Sequence, residues 1–188
     1  MSMKKTGDIA VLLERLSRIL QNEAHLEGLK PTQWEALRYL ARANRFSRTP
    51  SGLIAYLGIT KGTVSQTVNA LERKGLVKKT TDAEDRRQVR IDLTAKGSRL
   101  LKRDPVGAIL QTASALTARE KNDLEQSLQT LLTETLKARN GRPFGACRTC
   151  RFFKANHPEG APHRCGLLDI KLSAEDSQKI CVEQEPRD

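Results

Sequence analysis

Between residues 49 and 93 the apolar spacing changes from a helical to a strand period, and no other feature constrains the fold as much. Thr49-Pro50 predicts a short helix with proline at its first position, an inner face of Leu53, Ile54 and Leu57, and a stop at Gly58. A longer helix is predicted from residue 60 to about 74, with Val64, Val68 and Leu71 at i, i+4 and i+7 and Gly75 just past its last turn. Residues 76–80 and 88–93 then read as two short strands around the polar loop 82–87, which predicts a hairpin.

Short helix, tight turn, longer helix and hairpin in this order predict a winged helix-turn-helix. Such a unit needs one helix that enters the major groove with a polar face while its other face stays in a small core. Opposite Val64, Val68 and Leu71 run Gly62, Ser65, Gln66, Asn69 and Arg73. Lys61 and Thr63 fall in the first turn, where free backbone N–H groups favour a phosphate. Asn and Gln can pair with adenine and Arg with guanine. Arg86 and Arg87 sit at the hairpin tip, within reach of a minor groove or phosphates. Taken singly, that helix face reads equally as a solvated surface, and the arginine pair as a surface ion pair with Asp82 or Asp85. It is the order of the elements that favours double-stranded DNA.

Charge supports this reading. The 188 residues hold 33 Lys+Arg against 22 Asp+Glu, a net charge of +11. Residues 38–103 alone hold 16 basic and 5 acidic residues, whereas residues 141–188 are within one charge of neutral. A charge concentrated over the predicted groove-binding segment is the electrostatic footprint of a nucleic-acid partner. Aromatic residues make up 4%, too few for a groove that stacks single-stranded bases.

The flanks are helical. Residues 8–26 carry Ile9, Leu12, Leu13, Leu16, Ile19 and Leu20 at helical spacing. Thr32 with Glu35 predicts a capping box for a helix over 32–43 that sets Trp34, Leu37 and Leu40 on one side. Helix resumes at Thr94, and Thr117 with Glu120 predicts a second box, opening a helix to about 139 with the stripe Leu124, Leu128, Leu131, Leu132 and Leu136. The first and last of these helices have more apolar face than a small winged unit can cover. An intramolecular pair would explain this, but a homodimer explains it better, because reading a palindrome requires two lobes one helical turn apart.

The stretch 59–66, the run Leu71-Glu72-Arg73-Lys74-Gly75-Leu76-Val77, then Asp85-Arg86-Arg87 and Leu93-Thr94-Ala95-Lys96-Gly97 resemble the MarR (multiple antibiotic resistance regulator) family over roughly residues 8–138. The resemblance implies a homodimer built on the first and last helices, one winged unit per lobe, and a pseudo-palindromic operator, usually bound as a repressor. By the same resemblance Ser65, Gln66 and Asn69 match groove-facing positions and Arg86 and Arg87 the wing tip. It also implies a possible small-molecule effector, a small acid held between the dimer core and the DNA-binding lobe. Trp34 is a conceivable wall of that crevice, although a tryptophan at helical spacing is more often core.

Residues 141–188 are an addition to that pattern. All four cysteines lie there, as Cys147-x2-Cys150-x14-Cys165-x15-Cys181. In a reducing compartment such a cluster favours metal ligands over disulfides. The segment has few large apolar residues, among them Phe144, Phe152, Phe153, Leu167, Leu168 and Ile170, and cannot fold convincingly alone. A metal shared by four thiolates would contribute directly to its folding. Structural zinc usually shows two tight cysteine pairs, and here there is one. The spacing is similar to that of high-potential iron–sulfur proteins and of small cluster-binding subunits of radical enzymes. The expected cofactor is therefore an iron–sulfur cluster, [4Fe–4S], with zinc as the alternative and metal-free thiols as the remaining case. His163 is a possible substitute ligand. Ser173 and Asp176 predict a short capped helix leading to Cys181. Residues 8–138 are expected to stay folded without this region.

The expected architecture is thus mainly α. Residues 1–140 form the winged helix-turn-helix with a helical dimerisation region, and residues 141–188 a cysteine-rich metal-binding annex. The expected function is a DNA-binding transcriptional regulator whose four-cysteine centre senses redox or iron status. The alternatives are control by a small organic ligand with a structural zinc, and, remotely, a redox enzyme or electron carrier. No phosphate-binding glycine loop or catalytic triad supports an enzyme. No apolar run approaches the roughly 18 residues of a membrane span, and the N-terminus does not read as a signal peptide, so a cytoplasmic location without a membrane partner is expected.

Overall fold

The computed structural model describes residues 3–23, 28–81, 89–159 and 162–187. In chain order these form α1 (Met3–Glu23), α2 (Pro31–Arg42), α3 (Pro50–Leu57), α4 (Lys61–Arg73), β1 (Val77–Thr81), β2 (Val89–Leu93), α5 (Ala95–Leu100), α6 (Val106–Thr112), α7 (Ala118–Ala138), β3 (Phe153–Lys154), β4 (His163–Cys165), β5 (Ile170–Leu172) and α8 (Ala174–Gln178).

The core is centred on α2. Trp34, Leu37, Tyr39 and Leu40 are fully buried there against Leu53 of α3, Val64, Val68 and Leu71 of α4, and Leu76, Val77 and Ile91 of the hairpin. Trp34 is therefore core, and its indole Nε1 finds no partner among the described residues. The helix boundaries follow their caps. Thr49 accepts from the Gly52 amide at 3.0 Å, Thr60 from Thr63 at 3.2 Å and Thr94 from Gly97 at 3.1 Å. Gly58 closes α3 at φ 64°. The predicted Thr32–Glu35 box does not form. Proline takes the first position one residue earlier, at Pro31, and the Gln33 side chain accepts from the Lys30 amide at 3.0 Å. The helix thus starts at the residue whose missing N–H costs nothing there.

β1 and β2 pair antiparallel, with Val77 opposite Leu93 and Thr81 opposite Val89. β1 begins one residue later than predicted, because the Leu76 amide still bonds to Leu71 O at 3.0 Å as the chain leaves α4. Two glycines permit close approach. A methyl on Gly52 would strike the Tyr39 hydroxyl and the Ser47 carbonyl, and one on Gly97 the Leu76 carbonyl. The Thr117–Glu120 box does form, with Glu120 accepting from the Thr117 amide at 2.8 Å.

The flanking helices leave their apolar faces open. Ile9, Leu12, Leu13, Leu16 and Ile19 of α1 and Leu124, Leu128, Leu131 and Leu132 of α7 are all exposed. Among the described residues of α7 none is buried. Arg38 of α2 grips Asp104, ahead of α6, through two hydrogen bonds of 2.7 Å and so ties the start of α6 to the lobe.

The region from 141 onward lies against the lobe. Phe144 sits in the lobe's own core, edge-on to Tyr56 and Tyr39 with centroids 5.1 and 6.1 Å away. Ile180 and Val182 pack on the same core. A three-stranded antiparallel sheet, β3-β4-β5, and the capped helix α8 complete it. The core of the lobe is thus not closed without residues from the annex, which is a different solution to the annex's shortage of apolar residues from the one its sequence suggests.

Candidate nucleic-acid interface and cysteine centre

α4 is amphipathic in the way a groove-entering helix must be. Val64, Thr67, Val68 and Leu71 are buried, while Lys61, Thr63, Ser65, Gln66, Asn69 and Arg73 are exposed. Its first turn has no acidic residue, and Arg73 lies in its last. All six described DNA-contact candidates therefore share one accessible side of one helix. Arg86 and Arg87 lie outside the described residues.

Lys79 of β1 braces this face. Its ammonium donates to Asn69 Oδ1 at 2.6 Å and pairs with Glu72 at 2.8 Å. The hydrogen bond from Lys79 holds the Glu72 carboxyl below its usual pKa. The carbonyl oxygen of Asn69 thus already accepts from a neighbouring cation of the hairpin.

The cysteines gather at the seam between annex and lobe. Cys147, Cys150 and Cys181 are buried and Cys165 is half-buried, all as free thiols. Cys147 and Cys150 belong to one tight turn, in which the Cys150 amide donates to Cys147 O at 3.0 Å. Cys147 and Cys181 act on each other: interaction with Cys181 and burial push the Cys147 thiol up, and interaction with Cys147 holds Cys181 down against the opposing effect of burial, with help from Asn44, the Glu183 backbone and Ser47. Among the described residues, however, no three cysteine, histidine or carboxylate side chains stand arranged as a ready metal cage. His163 is occupied otherwise: its Nδ1 accepts from the Asn156 amide at 3.3 Å and its ring lies 4.8 Å from that of Phe153.

Sequence reasoning missed the lobe's own contribution to this seam. Asn44 and Ser47, in the loop between α2 and α3, are buried polar residues, 1% and 0% exposed. Asn44 Nδ2 donates to the Cys147 sulfur at 3.1 Å, and the Val182 amide donates to Ser47 Oγ at 2.9 Å. Arg45 pairs with Asp176 of α8 at 3.3 Å and donates to Lys171 O at 2.6 Å. The one available signal was the run of polar residues after the apolar face of α2, and it reads equally as an ordinary turn.

The geometry has counterparts among known proteins. The sequence pattern of the MarR family matches residues 27–88. The transcriptional repressor MprA of Escherichia coli K12 is 30% identical over 134 residues, which span 65% of this chain and 76% of that protein. A MarR transcriptional regulator from Methanosarcina mazei superposes with a TM-score of 0.58 at 25% identity, covering 72% of this chain and 99% of the other. More than a quarter of this chain therefore has no counterpart in it. The MepR protein of S. aureus, solved with DNA, superposes at 0.56 with 26% identity, covering 66% of this chain and 96% of MepR. With an amphipathic α4 followed by a two-stranded wing, and with a repressor related over three quarters of its length, the chain belongs to the MarR family of DNA-binding transcriptional regulators.

Proposed function

We propose that this regulator binds a pseudo-palindromic operator in duplex DNA as a homodimer, acts as a repressor, and adjusts its grip through a metal held by its cysteines. One observation carries the DNA part: the polar face of α4 is wholly exposed while its opposite face is locked in the core. Ser65, Gln66 and Asn69 meet base edges. Lys61, Thr63 and Arg73, with Arg86 and Arg87 of the wing, meet phosphates and the minor groove. The exposed leucines of α1 and α7 support the dimer, because together they leave an apolar surface that a second copy covers. No helix among the described residues is long and apolar enough to cross a membrane.

The four cysteines Cys147, Cys150, Cys165 and Cys181 are the proposed ligand set, for an iron–sulfur cluster of the [4Fe–4S] type, with zinc as the alternative. What supports this is their spacing in the chain and the burial of three of the four thiols, Cys147, Cys150 and Cys181, with Cys165 half-buried. Closing the set requires the described side chains to rearrange, since no three of them stand as a metal-holding group.

A cleft favours a second mode of control, by a small organic acid. About 460 Å³ in volume, it is lined by Leu29, Leu76 and Leu100 and by the cations Lys74, Lys96, Arg99 and Arg103. Apolar walls beneath a cationic rim suit an amphipathic anion.

The test combines salt-dependent binding with metal content. Affinity for duplex DNA is expected to fall steeply with salt, and Lys61→Ala or Arg87→Ala to flatten the slope of log affinity against log salt by about one unit per protomer. Anaerobically purified protein is expected to be brown, with iron and sulfide near stoichiometry. Colourless protein with one zinc per chain would select the alternative metal, and four free thiols after reconstitution would remove the metal altogether.

A further inference from the structure

We propose that the annex is a second DNA-contacting unit, in which Lys154 and Lys171, on either side of Arg164 in the three-stranded sheet, grip the phosphate backbone of the duplex that α4 reads. The inference rests on reading α4 as the groove-entering helix, and it is independent of what the cysteines hold.

The sheet sets three cations in one row. Lys154 of β3 stands directly opposite Arg164 of β4, and Arg164 directly opposite Lys171 of β5. Directly paired side chains share one face of a sheet, and neighbouring strands lie about 4.8 Å apart, so the two lysines are based roughly 10 Å from each other across the arginine. Like charges in such positions repel and cost stability. That cost is only partly offset. Arg164 is answered by Asp169 at 2.7 Å and by Glu159 at 3.9 Å. Lys154 and Lys171 are exposed, and neither has an ion-pair partner among the described residues. Nor does the row follow from abundant charge, since residues 141–188 are within one charge of neutral. A local cost with no gain inside the fold marks a surface whose gain comes from a partner. Two unpaired ammonium groups beside a guanidinium suit the oxygens of a phosphate backbone.

The row's place in the fold selects the partner. β5 is tied to the lobe where the Arg45 guanidinium donates to Lys171 O at 2.6 Å. Arg45 lies in the loop that leads to Thr49, the cap of α3. Toward the other end of α3, Tyr56 is edge-on to Phe144 with centroids 5.1 Å apart. The annex is fastened at both ends to the first helix of the helix-turn-helix, and in this motif the first helix crosses the DNA backbone. A duplex with its major groove on α4 therefore runs its phosphates past α3, and Lys171 is itself bonded to the loop at that helix's start. Phosphate contacts fix register and carry no sequence information. The annex adds affinity and orientation, while α4 keeps the choice of bases.

Full-length wild type, Lys154→Ala/Lys171→Ala and the charge-preserving Lys154→Arg/Lys171→Arg are titrated onto a duplex that the wild type enriches from a random library. The double alanine variant should flatten the slope of log affinity against log salt by about two units per protomer. It should also open backbone positions that the wild type protects in a hydroxyl-radical footprint, and keep the wild-type base preference. The double arginine variant should keep both slope and footprint. An alanine variant with the wild-type slope and footprint would overturn the proposal and leave the row to an acidic protein, with the reading of α4 intact. A flatter slope over an unchanged footprint would mean a field acting at a distance and would overturn it too, as would an arginine variant that flattens the slope equally. A wild type that enriches no duplex would overturn the reading of α4, and the proposal with it.

Discussion

The lobe from Leu29 to Leu101 and the annex from Phe144 to Arg187 are held together by different forces. The lobe buries large apolar side chains completely, with Trp34, Leu37, Leu40, Leu53, Leu71 and Ile91 all at 0% exposure. The annex buries few of its own. Its inner residues are thiols, Asp176, Ser177, Gln184 and one large apolar side chain, Leu172, while Phe144, Ile180 and Val182 are spent on the lobe's core. Burial of apolar surface is non-directional and tolerates small movements, whereas hydrogen bonds to sulfur and backbone depend on position. The first kind of region is suited to holding a shape, and the second to registering a change at a few atoms.

The largest effect is expected from Leu71→Ala, which empties a fully buried site behind α4. The loss should be about 2–5 kcal/mol, measured by urea unfolding, and should fall on the whole lobe. Phe144→Ala tests the seam. A cost near the low end of the Phe→Ala range, about 3 kcal/mol, is expected together with fast amide exchange over 144–182. An annex that stays protected would mean that its own contacts suffice. Arg45→Ala should cost less, about 1–3 kcal/mol, because it leaves the buried Asp176 carboxylate without its cation. It should loosen α8 and β5 while the lobe's exchange pattern stays unchanged.

The smallest effect concerns pH. Burial acts to raise the Asp104 pKa, but the Arg38 side chain and the Val106 amide outweigh it and hold the carboxyl below its usual range. A carboxyl whose folded pKa is depressed adds stability that is fully present above its unfolded pKa, about 3.9, and is lost as pH falls through the lower folded value. Wild-type stability should therefore drop more steeply below about pH 4 than that of Asp104→Asn. Parallel curves would show that the Arg38 pair contributes no acid sensitivity.

The lobe was legible in the sequence because its signals are local. A threonine cap and a 3.6-residue apolar period define α4 within fourteen residues, and the alternation of 76–93 defines the hairpin. Thr32 and Glu35 misled because a capping-box pattern competes with a proline one position earlier, and the proline's fixed φ prevailed. The polar face of α4 was readable as a face, but not the engagement of Asn69 by Lys79, ten residues on. The seam was not readable at all. Asn44 and Cys147 are 103 positions apart, and neither carries a pattern that names the other. Nor does a short apolar inventory in residues 141–188 say whether a metal or a neighbouring lobe supplies the missing support.

In the function proposed, α4 reads DNA sequence with its exposed polar face. Selection from a random duplex library at fixed salt tests it most directly, with wild type and Gln66→Ala run in parallel. The wild type is expected to enrich a site of two inverted half-sites with centres about one helical turn apart. Gln66→Ala should lose preference at one base pair in each half-site, worth roughly 1–3 kcal/mol, and keep the spacing. A wild type that enriches no motif above the starting library, or a Gln66→Ala variant that enriches the same motif with the same strength at every position, would contradict it.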